Sequence, residues 1–162
     1  MIFMSNDIEA HKDNNLIQGY YDDMGYDIRS GEDFILLPGR SKVVETGLHV
    51  CIPPVLGAFV KSKSGLSINH NIEAGNAGVI DSGYTGAIKV KMYNHDLNEP
   101  MTFKTGDFIA QLVFLVRPEH FFGRLHLRGC KSFDMFNIEE IPMNEWPEST
   151  RGNNGFGSTG SR

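Results

Sequence analysis

Alternation of side-chain character with a period of two runs through the middle of this chain and restricts its fold more than any other feature. Residues 42–53 carry, at the even positions, Val44, Thr46, Leu48, Val50 and Ile52. Residues 88–93 alternate in the same way. Successive side chains of a strand point to opposite faces, so this period predicts half-buried strands. Residues 108–116 are apolar apart from Gln111, which predicts a strand covered on both faces.

Turn-forming residues separate these runs, with PG at 38–39, PP at 53–54, NEP at 98–100 and TGD at 105–107. Many short strands with closely spaced turns predict an all-β sandwich or barrel. No segment has the pattern of a well-capped amphipathic helix, and a short helix is expected near residues 67–73. His49 is expected on a strand surface. We predict one domain over residues 1–147 and a flexible glycine-rich arm over residues 148–162.

Charge and composition exclude several classes of function. A net charge of −5 argues against a general nucleic-acid or membrane surface, although a local basic pocket is compatible with it. Cys51 and Cys130 form neither a metal pair nor a disulfide framework, which favours a reducing compartment. The six histidines lack metal-ligand spacing. No signal peptide or membrane span is predicted, so we expect a cytoplasmic protein, in the host cytoplasm if it is viral.

Two segments carry candidate chemistry. Asp81 lies in GVIDSGYTG at 78–86, where a strand is expected to end, and it is either a pocket carboxylate or the cap of an Asx-turn. The chain ends in RGNNGFGSTGSR at 151–162. This tail is either a frayed terminus or a mobile flap. A flap of this composition would offer backbone and hydroxyl donors, a guanidinium and an aromatic ring to a nucleotide.

Five segments, in order, resemble the motifs of the trimeric dUTPase family. They are MGYDI at 24–28, KSGLS at 63–67, GVIDSGYTG at 78–86, GDFIAQL at 106–112 and RGNNGFGSTG at 151–160. The resemblance implies a distorted β jelly roll that hydrolyses dUTP to dUMP and pyrophosphate with Mg²⁺. It also implies a homotrimer in which motif three, motifs one, two and four, and the arm of each site come from different chains.

The resemblance also implies roles for individual residues. Asp81 is the general base, and Tyr84 lies under the deoxyribose. The uracil edge meets a hairpin containing Gly75, Asn76, Gly78, Val79 and Ile80. The phosphates are held by Lys63, Ser64, Gly65 and Gln111, while Asp27 steadies the metal-bound triphosphate through water. The closing arm contributes Arg151, Phe156, Gly157, Ser158 and Thr159.

The chain departs from the family pattern at four places. Met24 replaces a small alanine and is expected to face the core. Lys63 replaces an arginine and loses its bidentate fork. Asn154 replaces a glycine of the arm, and asparagine tolerates the left-handed conformation. Residues 117–137 form an additional segment, which is either a surface hairpin packed on itself or a contact surface for a protein partner. Its basic residues are Arg117, Arg124, Arg128 and Lys131.

Two other functions are compatible with this fold. A related dCTP deaminase requires a glutamate ten residues beyond the motif-three aspartate, where this chain has Lys91. The other alternative is a non-catalytic nucleotide-responsive binding protein. Product analysis with dUTP and dCTP separates the three possibilities.

Overall fold

A computed structural model describes residues 2–7, 16, 18–20, 22–75, 78–117, 138–149 and 152–153. Within these ranges the chain is built mainly of short strands, as the alternation predicts. The strands are β1 Ile2–Asn6, β2 Tyr26–Arg29, β3 Phe34–Leu36, β4 Ser41–Glu45, β5 Leu48–Cys51, β6 Leu56–Lys61, β7 Ile72–Ala74, β8 Val79–Ile80, β9 Lys89–Asn94, β10 Met101–Phe103, β11 Phe108–Val116 and β12 Ile138–Glu140. One α-helix, α1, covers Ser64–His70, and a 3₁₀ helix covers Met143–Glu145.

The described strands form four sheets, and the largest has the order β2-β11-β6-β8. The other orders are β4-β9-β7, β12-β1-β5 and β10-β3. β1 pairs with β12 in parallel, whereas the other described pairs are antiparallel. The sheets enclose a core of aliphatic side chains whose fully buried members include Ile28, Leu56, Ile88, Ile109 and Leu112.

The predicted alternation over residues 42–53 is confirmed, but it spans two strands rather than one. The side chains at positions 44, 46, 48, 50 and 52 are all buried. Between β4 and β5 the chain turns at Gly47, which has φ 67°, so the two strands enter different sheets. The same alternate residues face the core before and after the turn, because the period of two continues through it. The period of two therefore predicted which side chains are buried, but it did not predict that the chain turns between β4 and β5.

β11 has the predicted bounds, but the expectation that both its faces are covered was wrong. Its residues alternate between buried and more accessible positions, and Leu115 is 37% exposed. The accessible face of β11 continues across β6, where Phe59 stands opposite Val113. One face of the largest sheet is thus open to solvent in the single chain.

Three local expectations are also corrected. The helix begins three residues earlier than expected and ends at Asn71, whose φ of 53° is left-handed. α1 buries none of its side chains, so the apolar periodicity that would have located it is absent. Met24 is 76% exposed rather than core-facing, because it lies in the loop before β2. His49 is buried rather than on the surface, since its ring is held between two oxygen atoms.

Some predictions fall outside the described residues. These include Asn76, residues 118–137, Arg151 and the arm beyond Asn153. No helix in the described ranges combines the length and apolar character needed to cross a membrane.

Candidate active site

Motifs one, two and four meet in one cleft of about 560 Å³ at the end of the largest sheet. β2, β6 and β11 lie side by side there, and Gln111 stands opposite both Asp27 and Lys61 in the strand register. The cleft also receives the loop before β2 and the start of α1. Its lining residues are Gly19, Tyr20, Asp23, Met24, Gly25, Asp27, Lys61, Ser62, Lys63, Ser64, Gly65, Gln111 and Val113.

The amide of Gln111 is held in place within this cleft. Its Nε2 donates to the Ser62 carbonyl at 2.9 Å. On the other side, a Cβ added at Gly25 would overlap Oε1 of Gln111 and lie 3.0 Å from its Cδ. Only glycine fits beside the amide, which explains why motif one carries a glycine at this point. Motif one thereby fixes the orientation of a motif-four side chain.

Lys63 and Asp27 form an ion pair on the wall of the cleft, with side chains 28% and 16% exposed. The ammonium also lies 5.3 Å from the centre of the Phe108 ring, within cation–π range. The charge of Asp27 is therefore balanced by Lys63 in the ligand-free chain. Among the described residues, no three His, Cys, Asp or Glu side chains come together as a metal site.

The first turn of α1 supplies small groups to the cleft. Lys63 is the N-cap residue, in extended conformation, and Ser64 and Gly65 follow it. A Cβ built at Gly65 would meet no atom within 4 Å. Gly65 therefore faces open space, and a larger side chain would occupy the cleft itself.

The hairpin before β8 packs against the end of β6. Gly78 donates to Gly75 O at 3.0 Å, and Val60 donates to Gly78 O at 2.7 Å. Gly75 has φ 97°, and a Cβ there would overlap the Val60 carbonyl oxygen. At Gly78 a Cβ would lie 2.8 Å from that oxygen. Close approach to β6 therefore requires both glycines.

Ser62 joins this hairpin to the cleft. Its hydroxyl donates to Ala74 O at 3.1 Å and accepts from Ala74 N at 2.9 Å, while its carbonyl accepts from Gln111. Val79 is 62% exposed, whereas Ile80 is buried. Ser62 therefore holds both the hairpin and the Gln111 amide of the cleft through hydrogen bonds.

Motif three forms a compact turn after β8. Asp81 is exposed, and its carbonyl accepts from Tyr84 N at 3.1 Å. Tyr84 is only 7% exposed, and its hydroxyl donates to Ala87 O at 3.0 Å. A Cβ at Gly86 would stand 2.5 Å from that hydroxyl oxygen, so the glycine makes room for the ring. The turn fixes Tyr84 while presenting Asp81 at the surface.

Asp81 and Tyr84 do not line the cleft. In the register of β6, Lys61 stands opposite Gln111, while Ala58 stands opposite Ile80, the residue before Asp81. Asp81 is thus offset from Gln111 by four residues along the sheet, or about 13 Å. Within one chain, the candidate phosphate-binding residues therefore lie apart from the candidate base.

The described part of the arm begins on motif three of its own chain. Ser149 Oγ donates to the Gly83 carbonyl and accepts from Gly152 N at 3.2 Å. Gly152 O in turn accepts from Thr85 N at 3.0 Å. The candidate arm residues Arg151, Phe156, Gly157, Ser158 and Thr159 lie outside the described residues, as does Asn76.

Sequence reasoning assigned no site role to several residues of the cleft, among them Lys61, Ser62 and Gly25. Lys61 could have been found from the alternation in LGAFVK, where Leu56, Ala58 and Val60 are buried. That pattern places Lys61 on the accessible face, opposite Gln111. No sequence signal indicates that Ser62 links Gln111 to the hairpin, because the contact depends on how β7 meets β6.

Lys91 occupies the position where a deaminase would need a glutamate. It lies on β9, and its ammonium stands 5.0 Å from the centre of the Tyr93 ring. A lysine held over an aromatic ring supplies no carboxylate for proton transfer.

Comparisons with a family model, with protein sequences and with a solved structure agree with one another. The family model described as dUTPase matches residues 14–126. A deoxyuridine 5′-triphosphate nucleotidohydrolase of Thermobifida fusca is 36% identical over 139 residues, covering 85% of this chain and 68% of that protein. The protein of the same name from Anaeromyxobacter sp. is 39% identical over 139 residues, covering 84% and 80%. A variant dUTPase from phage phi11 of S. aureus, solved with a structural Mg(II) ion, superposes with TM-score 0.66 at 22% identity, covering 83% and 99%.

Proposed function

Because the chain belongs to the dUTPase family, we propose that Asp81 activates the water that attacks the α-phosphorus in its reaction. The chain is a dUTP diphosphatase with the jelly-roll β fold of that family, which confirms the predicted fold and activity. dUTP is cleaved to dUMP and pyrophosphate. This reaction keeps uracil out of DNA and supplies dUMP for thymidylate synthesis, and we place it in the cytoplasm.

The observation that carries the mechanism is the exposed carboxylate of Asp81 on a turn whose other groups are fixed. The turn is closed by hydrogen bonds from Tyr84 to Asp81 and to Ala87. A carboxylate held on such a turn can orient a water and accept its proton. General-base catalysis of this kind contributes about 10²–10⁴-fold.

The cleft is proposed to hold the triphosphate. A triphosphate carries several negative charges, and the chain has a net charge of −5, so local cations are required. Lys61 and Lys63 supply two of them, and Ser64 and Gly65 leave space for the phosphate oxygens. Gln111, oriented by Gly25 and Ser62, lies where its amide can hold the α-phosphate and the attacking water.

A Mg²⁺ ion fits this cleft as a companion of the substrate rather than as a metal caged by the protein. The cleft offers Asp27, already paired with Lys63, and the described residues contain no three-ligand cluster. Mg²⁺ commonly binds through substrate phosphates and few carboxylates, retaining several waters. Bound in this way, the ion would supply positive charge to the triphosphate and to the departing pyrophosphate. Asp27 would steady it through water.

Recognition of the nucleoside is assigned to the hairpin and to Tyr84. The backbone of Gly75, Asn76, Gly78, Val79 and Ile80 would meet the edge of uracil. The buried ring of Tyr84 would lie under the deoxyribose and leave no room for a 2′-hydroxyl. The arm residues Arg151, Phe156, Gly157, Ser158 and Thr159 would close over the nucleotide and exclude water from competing reactions.

We propose that three chains share each site, as a homotrimer. Support comes from the separation of about 13 Å between the registers of Gln111 and Asp81, which is long for groups that act on one phosphorus. It also comes from an apolar row on the open face of the sheet, where Val113, Phe59 and Val79 stand side by side. A second chain covering this row would bring its Asp81 to the cleft.

The segment at 117–137 has no place in this mechanism. We propose that it is dispensable for hydrolysis and available to a protein partner, since it matches no motif and combines aromatic with basic residues. Stable nucleic-acid binding is not proposed, given the net negative charge.

The test is product analysis with an Asp81→Asn variant. Wild type should release pyrophosphate from dUTP and no ammonia from dCTP. Asp81→Asn keeps the shape of the carboxylate and removes the base, so kcat should fall by about 10²–10⁴-fold. Binding of a non-hydrolysable dUTP analogue should survive, because the cleft is unchanged. Near-normal turnover by Asp81→Asn would refute the assignment.

A further inference from the structure

His49 is a buried, ionisable side chain that none of the five motifs includes. It lies on β5, opposite Ser5 of β1, in the corner where the chain leaves β4. Among the described residues, the buried polar side chains are few, namely Asn6, Ser30, Thr46, His49 and Asn94. A buried polar group is costly unless it is hydrogen-bonded, so the partners of His49 indicate why it is there.

Both ring nitrogens of His49 face oxygen atoms. Nδ1 lies 2.9 Å from the Thr85 carbonyl oxygen, and Nε2 lies 2.9 Å from Oδ2 of Asp7. A backbone carbonyl can only accept, so this hydrogen bond forms in the tautomer that carries a proton on Nδ1, which then donates it. His49 therefore donates a hydrogen bond to the residue that directly follows Tyr84.

The backbone of Thr85 links the motif-three turn to the rest of the chain. Its carbonyl is bound by His49, and its N–H donates to Gly152 O in the root of the arm. Within the turn, Tyr84 is bonded to Asp81 and Ala87. A shift of the Thr85 carbonyl would consequently move the Tyr84 ring and, through the turn, Asp81.

We propose that His49 is a positioning residue for dUTP hydrolysis, acting through Thr85 to fix Tyr84 against the sugar and Asp81 against the α-phosphate. This inference rests on the proposed roles of Asp81 and Tyr84. His49 itself touches no substrate, and its effect is confined to the motif-three turn. Asp27, Lys63 and Gln111, which lie in the cleft, are held by other contacts.

The same corner offers a control for a merely structural role. Thr46 is buried and donates to the Ile88 carbonyl at 2.6 Å. Ile88 N is also held by the Leu48 carbonyl at 2.8 Å. Thr46→Val thus weakens the same corner three residues beyond Thr85, where the backbone keeps a second attachment. Loss of the Thr46 hydroxyl should lower the stability of the fold without moving the motif-three turn.

The experiment compares His49→Leu, His49→Asn and Thr46→Val for hydrolysis of dUTP and UTP, with folded protein quantified by circular dichroism. His49→Leu should lower kcat for dUTP about tenfold or more, as displaced catalytic groups do. KM should change by less than about threefold, because phosphate binding is untouched. The ratio of kcat/KM for dUTP over UTP should fall as Tyr84 loosens. His49→Asn retains a donor at the position of Nδ1 and should recover much of the loss, while Thr46→Val should keep the wild-type ratio.

Two results would overturn the inference: a folded His49→Leu enzyme with wild-type kcat and selectivity, or the same loss of selectivity in Thr46→Val. If His49→Leu does not fold, His49→Gln replaces it, because its amide nitrogen takes the position of Nε2 beside Asp7 and leaves the Thr85 carbonyl without a donor. Asp81→Asn and Tyr84→Ala are measured alongside. If they retain turnover and selectivity, the proposed function fails. If they lose them while the His49 variants do not, only the role of His49 fails.

Discussion

Glycine residues define the shape of this site through contact as much as through backbone freedom. Gly25 lies against the amide of Gln111, and Gly78 lies against the Val60 carbonyl. Neither residue has a positive φ, so the absence of a side chain is what matters at both. Gly75 differs, since it combines φ 97° with a close approach to Val60. A motif glycine can therefore be required by the neighbour that packs against it.

Gly25→Ala should reduce turnover by displacing Gln111. The added Cβ would overlap Oε1 of the amide and stand 3.2 Å from the Gln111 Cβ, so the side chain must leave its bond to Ser62. We expect kcat to fall about ten- to a hundredfold, the cost of misplacing a group that positions the substrate. Steady-state kinetics on dUTP measures the loss.

A double-variant cycle identifies the cause of that loss. If Gly25→Ala acts through Gln111, adding it to Gln111→Ala should have little further effect, because the group that it displaces is already gone. Additive losses in kcat would contradict this account and indicate that Gly25 acts on the loop before β2 instead.

The placement of residues in the cleft was predictable only where a motif contained them. The positions of Asp27, Lys63, Ser64, Gly65 and Gln111 in one cleft agree with the resemblance to the family. The burial of His49 and the bridging role of Ser62 were not predictable, because both depend on contacts between elements distant in sequence. Met24 was misassigned for the same reason, since apolar character alone does not say whether a loop residue faces the core.

Among the elements, the turn between β10 and β11 shows how local electrostatics closes a hairpin in this fold. Asp33 accepts from Lys104 Nζ at 2.8 Å, from Thr105 N at 2.8 Å and from the Thr105 hydroxyl at 3.1 Å. Lys104 N also donates to Asp107 at 2.7 Å. These bonds, led by that from Lys104, lower the pKa of Asp33 from 3.8 to about 2. The pKa of Lys104 is raised by the same partner.

The stabilisation from Asp33 should depend on pH in the acidic range. Its folded pKa is depressed, so the contribution is present above pH 3.8 and is lost as the pH falls through about 2. Asp33→Asn should therefore lower Tm slightly at pH 6, where the pair is exposed and screened by solvent. The difference from wild type should shrink between pH 4 and pH 2.

Thermal unfolding from pH 6 to pH 2 tests this, with Glu148→Gln as the matched control, since Glu148 is an exposed carboxylate elsewhere in the chain. The control should follow the wild-type curve. A Tm difference for Asp33→Asn that stays constant down to pH 2 would contradict a role for the ionised carboxylate.

The apolar run of β11 was more predictable than the alternating segment that contains β4 and β5. β11 has the predicted bounds, since nine residues of apolar character between two turns leave little choice. β4 and β5 were merged because the side-chain period does not change at Gly47, where the backbone turns. α1 was placed three residues late because a seven-residue helix with no buried side chain carries no apolar period. The pattern of apolar residues thus predicted which side chains are buried better than it predicted where the backbone turns.

On the scale of the whole molecule, the separation between cleft and base is the principal feature. The cleft of one chain holds groups suited to phosphate, whereas Asp81 stands about four residues farther along the sheet, or about 13 Å. The sequence order of the motifs gave no indication of this distance, because it depends on the register of β8 against β6. The proposed trimer with shared sites would resolve the separation by supplying the base from a neighbouring chain.

Complementation between two inactive variants tests the shared site. Asp81→Asn removes the base, and the double variant Asp27→Asn/Gln111→Ala removes cleft groups. Unfolded and refolded together in equal amounts, the chains should form sites of which about a quarter combine an intact cleft with an intact Asp81. Pyrophosphate release should recover to about that fraction of wild type, while each variant refolded alone stays inactive. An inactive mixture would place cleft and base within one chain.

The origin of the arm needs a second pairing, and the structure specifies where the chain should be cut. Truncation after Asn153 keeps the contacts of Ser149 and Gly152 with the motif-three turn, so the Asp81 of the truncated chain stays supported. It removes Phe156, Ser158 and Thr159. If the arm closes over a site whose Asp81 belongs to another chain, mixing this truncation with Asp81→Asn restores turnover. If the arm serves the Asp81 on which its own root is anchored, every intact base lacks an arm and the mixture stays inactive. We expect recovery, because the resemblance to the family implies that motif three and the arm of each site come from different chains.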